Sequence, residues 1–139
     1  MTRHGRAVVA YHHRMPLARA ALTDLVLIVL FAVIGRRSHD EGSALGGTLT
    51  VAAPFLIGHV VAATALRLDR APLGVRRGGL VAVAGVAVGL LLRGTVFDRG
   101  LAPAFVLVAL ITITALLVGW RLVAARIAPS GARDAHARR

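Results

Sequence analysis

This chain of 139 residues contains no cysteine, lysine, asparagine or glutamine. The absence of cysteine excludes disulfide bonds, thiolate metal ligands and a thiol nucleophile. Aromatic residues make up only 4% of the chain, and six acidic residues face 17 basic ones, all of them arginine. The resulting formal net charge of +11 is typical of a protein that meets nucleic acid or anionic lipid.

Catalytic motifs are also missing from the sequence. There is no P-loop, no G-x-S-x-G elbow, no H-E-x-x-H and no group of His and carboxylate residues at metal-ligand spacing. We therefore expect no enzymatic activity, no metal site and no cofactor. An enzyme that acts on lipid headgroups through "GRRSH" at residues 35–39 is the weakest of the functional hypotheses.

Apolar residues dominate what is present. Hydrophobic residues make up 57% of the chain, and the mean hydropathy is +0.74, more apolar character than a soluble domain of this size buries. Four runs are long enough to cross about 30 Å of hydrocarbon, and they lie at residues 17–35, 46–66, 79–97 and 102–120. Short loops between them predict an all-α fold, a four-helix transmembrane bundle with up-down topology.

Arginines flank these runs unevenly. Twelve lie in the basic N-terminal segment (1–16), the 67–77 loop and the segment that begins at residue 121, and three lie in the other two loops. The positive-inside rule then places both termini in the cytoplasm of a multi-pass protein of the plasma (inner) membrane. The division is a transmembrane domain at 17–121 and a basic tail at 122–139, with anionic lipid headgroups, not nucleic acid, as the predicted partner.

Polar residues inside the runs suggest one intramembrane layer. Asp24 and His59 each lie about 10 Å from the cytoplasmic end of their helices, from the rise per residue, with Thr112 and Thr114 slightly deeper. An acid beside an imidazole inside a membrane can relay protons. The alternative is structural, with Asp24 hydrogen-bonded to His59, to a threonine or to Arg121 to hold the helices together.

A second polar group is expected at the outer end of the bundle. Arginine guanidinium groups bind phosphate and carboxylate through paired donors, which makes this group a candidate anion or headgroup site. Its members are Arg36, Arg37, His39 and Arg93. Arginines at a helix end also serve as an interfacial stop signal. For Arg93 we expect an ion pair with Asp40, Glu41 or Asp98, or a headgroup contact.

Small residues form a stripe on the third run. Gly78, Ala82, Gly85 and Gly89 share one helical face, and Gly85 and Gly89 form a G-x-x-x-G pattern. Such a pattern lets another backbone approach closely. It predicts either packing within the chain or a homo-oligomer formed through Gly85 and Gly89.

Several short motifs occur in a characteristic order. They are Asp24 in the first run, "GRRSH" after it, "PF" at 54–55, "LLLR" ending at Arg93 and "GWR" at 119–121. As a set they resemble a bacterial family of small four-helix integral membrane proteins of unknown function, over roughly residues 20–122. The resemblance implies the architecture and no activity.

Two classes of function fit this pattern. The first is a small transporter- or channel-like protein, proton-coupled through Asp24 and His59. The second is a non-catalytic membrane scaffold or accessory subunit, in which the same residues hold the helices together. Proton flux through the purified protein distinguishes them.

Overall fold

The computed structural model describes residues 3–36 and 44–127, with side chains described at 17–36 and 46–127. Within these residues there are four α-helices: α1 (Arg3–Arg36), α2 (Ala44–Ala65), α3 (Val75–Thr95) and α4 (Pro103–Ile127). A short 3-10 turn, Leu68–Arg70, lies between α2 and α3. Consecutive helices pack against each other and α1 also contacts α4, which confirms the predicted all-α four-helix bundle.

The helices extend beyond the predicted spans at several ends. α1 begins at Arg3, so it includes most of the basic N-terminal segment; α3 begins at Val75; and α4 continues to Ile127, inside the predicted basic tail. Arginine is a good helix former, and its aliphatic stem lies along apolar surface while its charged head reaches water. Arginines therefore end an apolar run without ending its helix.

Each helix contains a segment long and apolar enough to cross a membrane: Leu17–Arg36, Gly46–Ala65, Val75–Thr95 and Pro103–Ile127. Large aliphatic side chains cover the outward faces of these segments; Leu22 is 64% exposed and Leu91 is 63% exposed. An apolar surface that surrounds the whole bundle is stable against lipid chains and not against water. The chain is a multi-pass membrane protein.

Aromatic and aliphatic side chains fill the centre of the bundle. The edge of the Phe31 ring meets the Phe55 ring at 5.9 Å between centroids, and Phe55 lies 6.1 Å from Phe105. Around them pack buried residues from α1, α3 and α4, namely Ile28, Ala82, Val86, Ala109, Ile113 and Leu117. This core lies between the two groups of polar residues at opposite ends of the bundle.

Three glycines bring the backbones of α2 and α3 into contact. A Cβ on Gly58 would overlap the backbone of Gly85, and a Cβ on Gly89 would lie 3.0 Å from Cα of Phe55. The stripe on α3 therefore serves packing within the chain. A homo-oligomer through Gly85 and Gly89 would require α2 and α3 to separate, because both glycines are already buried.

Candidate functional site

Asp24 forms a fully buried ion pair with Arg121. Arg121 Nη1 donates to Asp24 Oδ1 at 2.8 Å, and Nη2 donates to Oδ2 at 2.7 Å. Both side chains are 0% exposed. The two parallel bonds make a bidentate guanidinium–carboxylate pair, the strongest common ion-pair geometry in proteins, and they tie α1 to α4.

Two further donors complete the shell of Asp24. Trp120 Nε1 donates to Oδ1 at 2.8 Å, and His59 Nε2 lies 3.1 Å from Oδ2. Each carboxylate oxygen thus accepts two hydrogen bonds, close to its full capacity. Every contact comes from a donor, so the site stabilises Asp24 as a carboxylate anion.

The long side chain of Arg121 reaches the bundle interior because α3 leaves room for it. A Cβ on Gly78 would overlap the Arg121 side chain. Arg121 also donates from Nε to the carbonyl of Pro72 at 3.2 Å and from Nη1 to the carbonyl of Leu117 at 2.9 Å. The guanidinium therefore joins α1, α4 and the α2–α3 connection at one point.

His59 is the one member of this group with an unpaired polar atom in the described part of the chain. Because a carboxylate only accepts hydrogen bonds, the Nε2 that faces Asp24 must carry a proton. In a neutral imidazole Nδ1 is then an acceptor, and here it is buried without a hydrogen-bond partner. The backbone of His59 is held in place by α3, since a Cβ on Gly85 would lie 2.9 Å from Cα of His59.

A cavity of about 600 Å³ between α1 and α2 is lined in part by His59. Its walls are aliphatic side chains of α1 and α2, including Leu17 and Ala63. Its polar end contains Arg67 and Asp69, whose side chains are 59% and 56% exposed and lie 3.9 Å apart. This cavity, named here the inner cavity, leads from the exposed α2–α3 connection towards the buried imidazole.

The two threonines of the predicted polar layer lie outside the hydrogen-bond shell of the Asp24 carboxylate in the described part of the chain. Thr112 and Thr114 are only partly buried, and among the described residues neither hydrogen-bonds to Asp24. Among the same residues the Thr114 hydroxyl oxygen is buried without a hydrogen-bond partner. The structure thus brings Asp24 and His59 together and joins to them Arg121 and Trp120.

Both partners belong to the "GWR" motif at the end of the fourth apolar run. In the sequence Arg121 is one of the charges that flank this run, with a bond to Asp24 as one alternative, and Trp120 is the kind of residue that anchors a helix at the interface. Gly78 on α3 is a signal in the sequence for a large side chain at this point, because a glycine leaves space beside its helix. A glycine stripe alone does not say which side chain fills the space beside it.

At the other end, Arg36 and Arg93 line one cavity of about 550 Å³. The Arg93 guanidinium carbon lies 4.2 Å from the centre of the Phe105 ring, and Nε lies 3.4 Å from the carbonyl oxygen of Gly100. The ion pair expected between Arg93 and Asp98 does not form in the described residues. Asp98 is exposed in the connection after α3.

Four of the residues proposed for the outer end lie outside the described residues: Arg37, His39, Asp40 and Glu41. Within the described ranges, no group of three His, Asp or Glu side chains forms a metal-ligand set.

Comparison with known proteins supports the resemblance noted from the motifs. No curated protein and no solved structure matches the chain. Residues 21–124, about three-quarters of the chain, match the family described as "Protein of unknown function (DUF3054)". This range contains Asp24, His59, Trp120 and Arg121, together with four candidate membrane spans in whole or in part. The chain is a multi-pass membrane protein that belongs to the DUF3054 family of unknown function.

Proposed function

We propose that this protein is a small transporter- or channel-like membrane protein in which His59 exchanges a proton with the inner cavity. One observation carries the proposal: His59, only 4% exposed as a residue, lines the inner cavity and keeps Nδ1 without a hydrogen-bond partner in the described residues. Buried polar atoms are normally paired. Ionisable groups inside membrane segments commonly mark ion or proton pathways.

In this proposal Asp24 and Arg121 remain an intact ion pair and do not exchange protons. Their opposite charges cancel, and two short bonds hold the carboxylate. A proton that binds Nδ1 turns the group of Asp24, Arg121 and His59 from neutral to singly positive. Asp24 therefore orients the imidazole, whereas His59 gains and loses the proton.

Proton flux through liposomes that contain the purified full-length protein tests this proposal. The liposomes enclose a pH-sensitive dye, and a pH gradient is imposed in each direction with and without a membrane potential. His59→Gln keeps an amide donor for Asp24 and removes the titratable nitrogen. We expect this variant to fold and to lose the proton flux.

Thr64→Val is the matched control. Thr64 also lines the inner cavity, but its hydroxyl donates to the carbonyl of Val60 and is exposed. The control should retain the flux of the original protein. Flux that survives in His59→Gln, or an original protein that moves no protons under any gradient, would refute the proposal.

A non-catalytic scaffold or accessory subunit is the second candidate. It is favoured by the saturated shell of Asp24 and by the packed rings of Phe31, Phe55 and Phe105, which separate the inner cavity from the cavity at Arg93. In that case the ion pair only holds the helices together. Under either function we propose that the protein is not an enzyme.

The orientation in the membrane is also a proposal. With Arg121 buried, the arginines that remain exposed at the inner-cavity end include Arg67, Arg70, Arg76 and Arg126. Arg99 is exposed at the other end. This distribution supports cytoplasmic termini and a cytoplasmic α2–α3 connection in the plasma membrane.

A further inference from the structure

We infer that the cavity lined by Arg36 and Arg93, named here the outer cavity, binds the phosphate group of an anionic membrane lipid. The ligand we propose is the phosphate of a lipid headgroup and not free phosphate. Lipid binding in the outer cavity does not depend on proton exchange at His59, because Phe55 and its ring contacts lie between the outer cavity and the inner cavity.

Arg93 offers hydrogen-bond donors to a ligand. A guanidinium has five N–H donors, and towards the described residues Arg93 uses only Nε, in a 3.4 Å contact with the Gly100 carbonyl. No described carboxylate pairs with it. The ring of Phe105 supports the flat face of the guanidinium at 4.2 Å, which leaves its edge for a planar, two-point contact with phosphate oxygens.

Two other features add positive potential to the same cavity. Arg36 also lines the cavity, and its side chain occupies the space beside Gly47. Ala104 and Phe105 lie in the first turn of α4, before its first helical hydrogen bond from Val106 to Ala102. Amide groups in a first helical turn lack helical acceptors and favour an anion.

The rest of the cavity is apolar and opens on the outside of the bundle. Ala104 and Val108 line it and are exposed on α4, Val108 at 54%. Val108 lies about 8 Å along the helix from Pro103, from the rise per residue. In a bilayer this arrangement puts the arginines at the level of the headgroups and the apolar wall at the level of the acyl chains. A soluble phosphate would contact the arginines only, whereas a lipid would contact both the arginines and the apolar wall.

Native mass spectrometry of the full-length protein with graded amounts of lipid tests the inference. Phosphatidylglycerol is compared with phosphatidylcholine of the same acyl chains and with inorganic phosphate. We expect phosphatidylglycerol to bind most tightly and Arg93→Gln to weaken it about tenfold, which corresponds to the loss of one hydrogen bond to a charged group. Arg76→Gln, an exposed arginine at the opposite end of α3 and outside the residues that line the cavity, is the matched control and should leave the affinity unchanged.

A second variant keeps both arginines and tests the apolar wall. Val108→Trp fills the cavity from an exposed position, so it should fold and should also weaken phosphatidylglycerol binding. It decides the question if Arg93→Gln cannot be purified. Equal loss in Arg76→Gln, binding of inorganic phosphate as tight as that of phosphatidylglycerol, or unchanged lipid binding in Val108→Trp would each overturn the inference.

Discussion

The buried pair of Asp24 and Arg121 makes the sharpest prediction about stability. Arg121→Gln removes a charge and at least one of the two bonds at 2.7 and 2.8 Å, while the carboxylate stays at 0% exposure. Hydrogen bonds to charged groups contribute about 1.5–3 kcal/mol each. Removing one member of a buried pair typically costs about 3–5 kcal/mol, so we expect a loss of unfolding free energy in that range.

Asp24→Asn should be equally destabilising. All four hydrogen bonds at this side chain come from donors on Arg121, Trp120 and His59. An asparagine replaces one acceptor oxygen with an NH₂ donor that faces other donors, and it leaves the guanidinium without a counter-charge. The similar size of the two side chains does not compensate for this reversal of polarity.

The double variant Asp24→Asn with Arg121→Gln measures how much the two side chains stabilise each other. It contains no buried charge at this position and leaves about one donor unsatisfied, which costs about 1–3 kcal/mol. Two independent substitutions would instead cost about 6–10 kcal/mol, twice the single-partner cost. We therefore expect the double variant to be more stable than either single variant.

Reversible unfolding in mixed micelles measures these differences. Trp120 is the only tryptophan of the chain, and its indole donates to Asp24, so its fluorescence reports on the site itself. Arg126→Gln, an exposed arginine in the last turn of α4, is the control and should change stability by less than about 0.5 kcal/mol. Additive losses in the double variant, or a single variant as stable as the control, would refute the ion pair.

The remaining predictions concern packing, the indole contact and topology. Gly58→Ala should lower the free energy of unfolding by about 1–3 kcal/mol, because the new Cβ would overlap the backbone of α3. Gly119→Ala is the control and should not destabilise the fold, since nothing lies within 4 Å of its Cβ. Equal effects of the two substitutions would argue against the close contact of α2 and α3. Trp120→Phe removes one bond to a carboxylate and should cost about 1.5–3 kcal/mol, seen as a lower thermal transition by circular dichroism. In intact cells, a cysteine at Leu73 should resist an impermeant thiol reagent and one at Arg99 should react; the opposite pattern would reverse the proposed orientation.

The amino-acid sequence alone determined the architecture and one contact of the site. Length and hydropathy predict four spans because a bilayer requires about 20 apolar residues in a row, and the structure has four such helices. The shared level of Asp24 and His59 follows from the fixed rise of a helix. Their side chains meet at 3.1 Å.

Only the tertiary structure decided how each helix turns about its axis and which side chain fills each gap. Membrane helices are apolar on all sides, so their periodicity does not mark an inward face as it does in soluble proteins. Arg121 therefore looked like a boundary charge, although the space beside Gly78 lets it reach Asp24. The stripe of small residues likewise fits a contact with any helix, and the contacts with Gly58 assign its members Gly85 and Gly89 to α2. Both choices depend on residues far apart in the chain, which meet only when the helices pack.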